Sequence, residues 1–171
     1  RRVATYIVEA NKKLKDPIPF VYRIHDLPDM EKVAAYVEFA KVFGYDMKIK
    51  SPKTVAQSFG KLMKEIEGKP EADVLQNMAI RTMAKAAYST NNIGHYGLAF
   101  DNYSHFTSPI RRYADVLTHR LLGEYIDKKP IRIAHDVLEE TCQYISKKER
   151  KAMEAERASI KYKQVEFLQD H

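Results

Sequence analysis

The 171-residue chain has one cysteine, no apolar run that approaches membrane-spanning length, and no tight cluster of aspartates. Each shortage excludes something. Cys142, being alone, forms no internal disulfide and builds no zinc-cysteine cluster, which suits a reducing compartment. Without a long apolar run or a signal-peptide pattern, a cytoplasmic location is expected and a membrane partner is not. Asp16, Asp26, Asp29, Asp101 and Asp115 are scattered singly. Two-metal phosphodiester hydrolysis needs clustered carboxylates around ions about 4 Å apart, so no metal site is expected within this chain. The densest aspartate group, "DLPD" at 26–29, reads as a turn and a helix cap. His25, His95, His105 and His119 include no pair at helical i,i+4 spacing, so no zinc site is suggested. Each can serve as an acid–base group but reads first as a hydrogen-bonded structural histidine. Repeats and low-complexity tracts are absent as well.

What is present describes an ordinary globular domain with a proper core: 44% hydrophobic and 30% charged residues. Lys and Arg number 29 against 23 acids, a net +6 that favours a polyanionic partner. The start, "RRVATY", lacks an initiating Met, so a fragment is expected.

Apolar spacing predicts a mainly α fold with a few short strands. A first helix is expected over 1–15, broken by "DPIP" at 16–19, where proline removes an N–H and restricts its predecessor. "FVYRIH" at 20–25 alternates and reads as extended. A second helix is expected over 29–43, capped by Asp29 and stopped by Gly44. "YDMKIK" is a strand or a loop. Ser51 and Pro52 start a third helix that ends near Gly68, and a fourth is expected over 71–88. "STNNIG" at 89–94 is a loop and "HYGLAF" is read as extended. Ser108 and Pro109 start a helix to about Ile126, ended by Lys128, Lys129 and Pro130. Ser146 and Glu149 have capping-box spacing, which predicts two final helices, 135–145 and 147–169.

The stretch "HFTSPIRRYAD" at 105–115 carries the most chemistry. A helix start offers free N–H groups and partial positive charge. Arg111 and Arg112 in its first turn would add two guanidinium forks, and Thr107 and Ser108 hydroxyl donors, making a phosphate site. Asp115 can pair with Arg111 or Arg112 at helical spacing. On spacing alone, a capped helix with surface-paired arginines is the commoner outcome. The neighbourhood shifts the balance: Tyr96, Phe100, Tyr103, Phe106 and Tyr113 lie nearby, and rings beside arginines suit single-stranded nucleic acid. For Phe100 and Phe106 a core role is preferred. Gly94 and Gly97 allow close backbone approach.

Residues 94–122, "GHYGLAFDNYSHFTSPIRRYADVLTHRLL", resemble the signature segment of the RNB exoribonucleases, the ribonuclease R and ribonuclease II family, and are closer to the ribonuclease R branch. "YRIHD" at 22–26 and "ERKAMEAER" at 149–157 resemble two further blocks in the same order, so the resemblance covers essentially the whole chain. It implies the C-terminal, mostly helical portion of an RNB catalytic domain across 1–171. The family degrades RNA processively from the 3′ end to nucleoside monophosphates, using Mg²⁺ held by aspartates upstream of anything matched here. Cold-shock and S1 domains of the oligonucleotide-binding type flank it. The resemblance assigns Arg111 to the phosphate beside the scissile bond and Arg112 to the RNA backbone. Tyr103, His105, Thr107 and Ser108 fall where the substrate end of the channel is shaped. Glu156, with Glu154 as competitor, is the acid of the third block. Other readings are a non-catalytic RNA-binding module and a helical interaction domain.

Overall fold

A computed structural model of the chain describes residues 1–127 and 133–170. In chain order the elements are α1 (Arg2–Asn11), β1 (Tyr22–Ile24), α2 (Met30–Val42), α3 (Pro52–Glu65), α4 (Ala72–Thr82), β2 (Ala87–Ser89), a 3₁₀ turn (Tyr96–Leu98), α5 (Tyr113–Ile126) and α6 (His135–Asp170). The mainly α expectation holds. No helix among the described residues is long and apolar enough to cross a membrane. The chain divides into two compact units, one of His25–Lys85 and one of Arg1–Ile24 together with the chain from Ala86 onward.

The unit formed by His25–Lys85 is a bundle of α2, α3 and α4. Val33, Tyr36, Val37 and Ala40 recur at helical spacing and pack with Val55, Phe59, Leu62 and Leu75 in one core. Its helix starts follow local rules. The Asp29 carboxylate accepts the Glu31 N–H at 3.0 Å. Ser51 and Thr54 form a reciprocal box, each side chain accepting the other's N–H. Gly44, at φ +84°, ends α2 in the left-handed region that glycine occupies without strain.

The other unit is built around β1 and β2, which pair antiparallel with Tyr22 opposite Ser89 and Ile24 opposite Ala87. Ala4 and Ile7 of α1, Phe20, Tyr22, Tyr88, Leu117 and Leu121 of α5, and Leu138 and Cys142 of α6 make its core. The first helix stops at Asn11, short of the expected Lys15, because the Asn11 amide exchanges two hydrogen bonds with the Ile18 backbone, at 2.8 and 3.0 Å.

Of the two readings of "YDMKIK", the loop is the one observed. Three further expectations are corrected. The fourth helix ends at Thr82, not 88, because Met83 is extended and residues 87–89 pair with β1. "HYGLAF" is a 3₁₀ turn closed by a bridge between His95 and Phe100. Residues 135–170 form one helix rather than two. Ser146 does not cap: its hydroxyl donates to the Cys142 carbonyl at 2.8 Å and accepts the Tyr88 N–H at 2.9 Å. The expected stop at Lys128, Lys129 and Pro130 lies outside the described residues.

Candidate functional site

Residues 103–112 run beside β1. The Arg23 N–H donates to the Tyr103 carbonyl at 2.9 Å, and the Ser104 hydroxyl donates to the Val21 carbonyl at 2.7 Å. Rings follow one another from there: Tyr103 meets His95 and His105 edge-on, and His105 meets Tyr88. His105 Nδ1 lies 2.8 Å from the Tyr88 hydroxyl. Burial, helped by the charges of Arg112 and Arg23, pushes His105 down to about 4, so its imidazole is neutral near pH 7. Burial pushes the Tyr88 phenol up to about 12, so it keeps its proton. The phenol therefore donates to Nδ1, which leaves the imidazole proton on Nε2. His119 is placed structurally, stacked on the Phe106 ring with Nε2 at 2.7 Å from the Phe106 carbonyl.

The helix expected at Ser108 begins instead at Tyr113, with Arg112 as N-cap. Ser108 opens a turn, its carbonyl accepting the Arg111 and Arg112 N–H groups at 3.3 and 3.1 Å. Its own N–H donates to Asp115 Oδ2 at 2.7 Å. Asp115 is fully buried in the first turn of α5 and pairs with the Arg112 guanidinium through Oδ1 and Oδ2, both contacts at 3.0 Å. The bond from Arg112 Nε is poorly angled although its distance is that of an ion pair. The anion at this helix start is thus the chain's own carboxylate, a placement that both the backbone N–H groups and the helix dipole favour. Arg112 is tied down by it, whereas Arg111 projects from the turn and is exposed.

Arg111, Arg112 and Tyr113 form one side of a groove of about 530 Å³; Lys148, Glu149 and Glu156 of α6 form the other. The two residues assigned as catalytic, Arg111 and Glu156, therefore share one surface. Glu154 is not on it. Tyr103, His105, Thr107 and Ser108 do not line the groove; His105 reaches it through Tyr88, which does. Spacing gave no notice of Arg23. Its guanidinium pairs with Glu149 Oε2 at 2.7 Å and lies 4.5 Å from the Tyr88 ring centre, and its partner is 126 residues away. Asp115 was visible as a helical-spacing partner of Arg112; its hold on Ser108 was not.

This arrangement suits an anion. Arg112 is paired with Asp115 and Glu149 with Arg23, so Arg111 on one side and Lys148 on the other supply positive charge on the groove that the exposed Glu156 also lines. It does not suit a metal ion of its own. Among the described residues no group of three His, Cys, Asp or Glu side chains could hold one, and Asp115 and Glu149 are committed to arginines.

A family model described as RNB domain matches residues 2–128. Ribonuclease R 1 of Lactococcus lactis is 40% identical over 183 residues, which covers 100% of this chain and 22% of that one. A structure of Mycoplasma genitalium RNase R in complex with ribose methylated single-stranded RNA is similar with a TM-score of 0.79 at 27% identity, covering 94% of this chain and 25% of that one. Yeast Ssd1, a pseudonuclease, is similar with a TM-score of 0.70 at 26% identity, over 84% of this chain and 17% of that one. The chain spans a quarter or less of each of these relatives.

Proposed function

The chain belongs to the RNB-domain family, and from that membership we propose that it is the phosphate-holding portion of a hydrolytic exoribonuclease that shortens single-stranded RNA from the 3′ end. The observation that carries the proposal is the groove that Arg111 and Glu156 both line. Arg111 pairs with the phosphate beside the bond to be cut and offsets the charge that grows on it, the positioning and electrostatic role that dominates phosphoryl chemistry. The buried Asp115 holds Arg112 and the Ser108 turn, so Arg111 is presented from a fixed backbone. Arg112 adds positive charge near the RNA backbone. Tyr103, His105, Thr107 and Ser108 shape the substrate end of the channel from behind. Glu156 faces the reacting region. Mg²⁺ would be held by aspartates outside these residues, oligonucleotide-binding domains outside them would feed the strand, and the products are nucleoside monophosphates.

The test uses the whole protein that contains this chain, 3′-labelled single-stranded RNA and magnesium. Arg111→Ala is expected to lower kcat by about 10²–10³-fold, with less than a tenfold change in RNA affinity measured in chelator. An unchanged kcat would remove the assigned role. The 171-residue chain alone is expected to release no nucleotide; magnesium-dependent release by it would overturn the division of labour.

One other reading has an observation in its favour. The likeness to a pseudonuclease fits a family member that binds RNA without cutting it. There the whole protein would bind RNA with strong salt dependence and release no nucleotide.

A further inference from the structure

Arg23 sits below the groove rather than in it. Its side chain is 13% exposed, and three ties leave it. Its guanidinium pairs with Glu149 of α6 at 2.7 Å. The same group covers the ring of Tyr88, whose hydroxyl meets His105. Its backbone N–H holds Tyr103, at the start of the segment that leads to Arg111. One residue of β1 thus joins the segment that leads to Arg111 to the helix bearing Glu156.

The first part of α6 has anchors of its own. Leu138 and Cys142 are fully buried, and Glu139 accepts from the Ser89 hydroxyl and from the N–H and hydroxyl of Thr90. Ser146 takes the Tyr88 N–H. Glu149 lies beyond these anchors, between them and Glu156. Seven residues separate Glu149 from Glu156, close to two helical turns, so both lie on one face about 10 Å apart along the axis.

We propose that Arg23 is a positioning residue: by gripping Glu149 it holds the direction of α6 past Ser146 and so keeps Glu156 on the groove that Arg111 lines. The catalytic consequence rests on the exoribonuclease reading; the geometric one does not. The anchors at 138–146 make the fold independent of this grip. A purely structural pair would instead act through stability, because removing one partner of a mostly buried ion pair strands the other charge.

The experiment uses the whole protein containing this chain. Arg23→Met, Arg23→Lys and Glu149→Gln are compared in single-turnover cleavage of 3′-labelled RNA and in RNA affinity with chelator. In the same protein, with any cysteine outside these residues replaced by serine, nitroxide labels at Arg111→Cys and Glu156→Cys report the distance between the two sides of the groove; Cys142 is fully buried and stays unlabelled. Arg23→Met and Glu149→Gln are each expected to slow cleavage at least tenfold, to change RNA affinity less than threefold, and to broaden the label distance. The double variant should be no slower than either single one, because the pair acts as a unit. Arg23→Lys should recover most of the rate. A label distance unchanged by Arg23→Met overturns the proposal, as does a rate loss that follows melting temperature rather than distance. If the unsubstituted protein cleaves nothing, the exoribonuclease reading falls, and the label distance still decides whether Arg23 sets the groove.

Discussion

Replacing Asp115 with alanine tests the support beneath Arg111. The Asp115 carboxylate is 0% exposed and receives the Ser108 N–H at 2.7 Å and two Arg112 nitrogens at 3.0 Å. Asp115→Ala leaves a guanidinium that is 23% exposed without its partner, and a backbone N–H without an acceptor. Breaking a buried pair from one side costs about 3–5 kcal/mol. Arg112 keeps some access to water, so the lower end, about 3 kcal/mol, is expected. In a chain of this size 1 kcal/mol moves Tm by about 2–4 °C, so a fall of roughly 6–12 °C should follow. Asp115→Asn, which keeps an acceptor for Ser108, should lose less. Thermal and urea unfolding of this chain, followed by circular dichroism, measures both. Arg112→Ala and the double variant complete a cycle in which the losses overlap by more than about 1 kcal/mol. A loss under about 1 kcal/mol for Asp115→Ala, or strict additivity with Arg112→Ala, would refute the reasoning.

Two other measurements follow from the geometry. His105 is held near 4 in the folded chain against 6.5 in its ordinary state, so the unfolded chain binds the extra proton between those values. The stability that His105 contributes is full above about pH 6.5 and is lost as pH falls toward 4, by up to about 3 kcal/mol. Urea midpoints across that window should flatten in His105→Gln, and a His105 NMR titration centred near 6.5 would contradict the account. Gly94 and Gly60 should respond oppositely to alanine. Gly94 has φ +81° and a Cβ there would lie 3.1 Å from the Phe100 carbonyl oxygen, so Gly94→Ala should lose at least about 1–2 kcal/mol. Gly60 sits inside α3 with nothing within 4 Å, so Gly60→Ala should gain about 0.5–1 kcal/mol. Urea unfolding of each variant reads the sign.

Local chemistry was legible in the sequence wherever the partners are neighbours. Asp29 caps α2 and Ser51 boxes α3 because their acceptors and donors lie two or three residues away. Ser108 and Ser146 look the same in sequence and behave differently. The Ser108 N–H is taken by Asp115 seven residues on, which delays the helix to Tyr113. The Ser146 hydroxyl is taken by Tyr88, 58 residues back, which leaves α6 continuous. Tyr88 itself reads as the end of a helix until β1 is available to pair with it. The site divides the same way. Arg111 stands out as part of an arginine pair after a Ser-Pro start, whereas Arg23 carries no local sign of its role, because Glu149 meets it only in the folded chain.

The split of one unit across the chain also bears on its birth at the ribosome. Between β1 and β2 lie residues 25–86, a stretch that builds its own core in the meantime. At roughly 5–20 residues per second, β1 waits about 3–12 s for its partner strand, and longer for α5 and α6. Ala4, Ile7, Phe20 and Val21 are at most 1% exposed in the finished fold, yet through that interval none of α5, α6 or β2 exists to cover them. Through that interval the nascent chain therefore carries an apolar patch that α5, α6 and β2 do not yet cover, a natural target for a holding chaperone until Tyr88 emerges to close the strand pair.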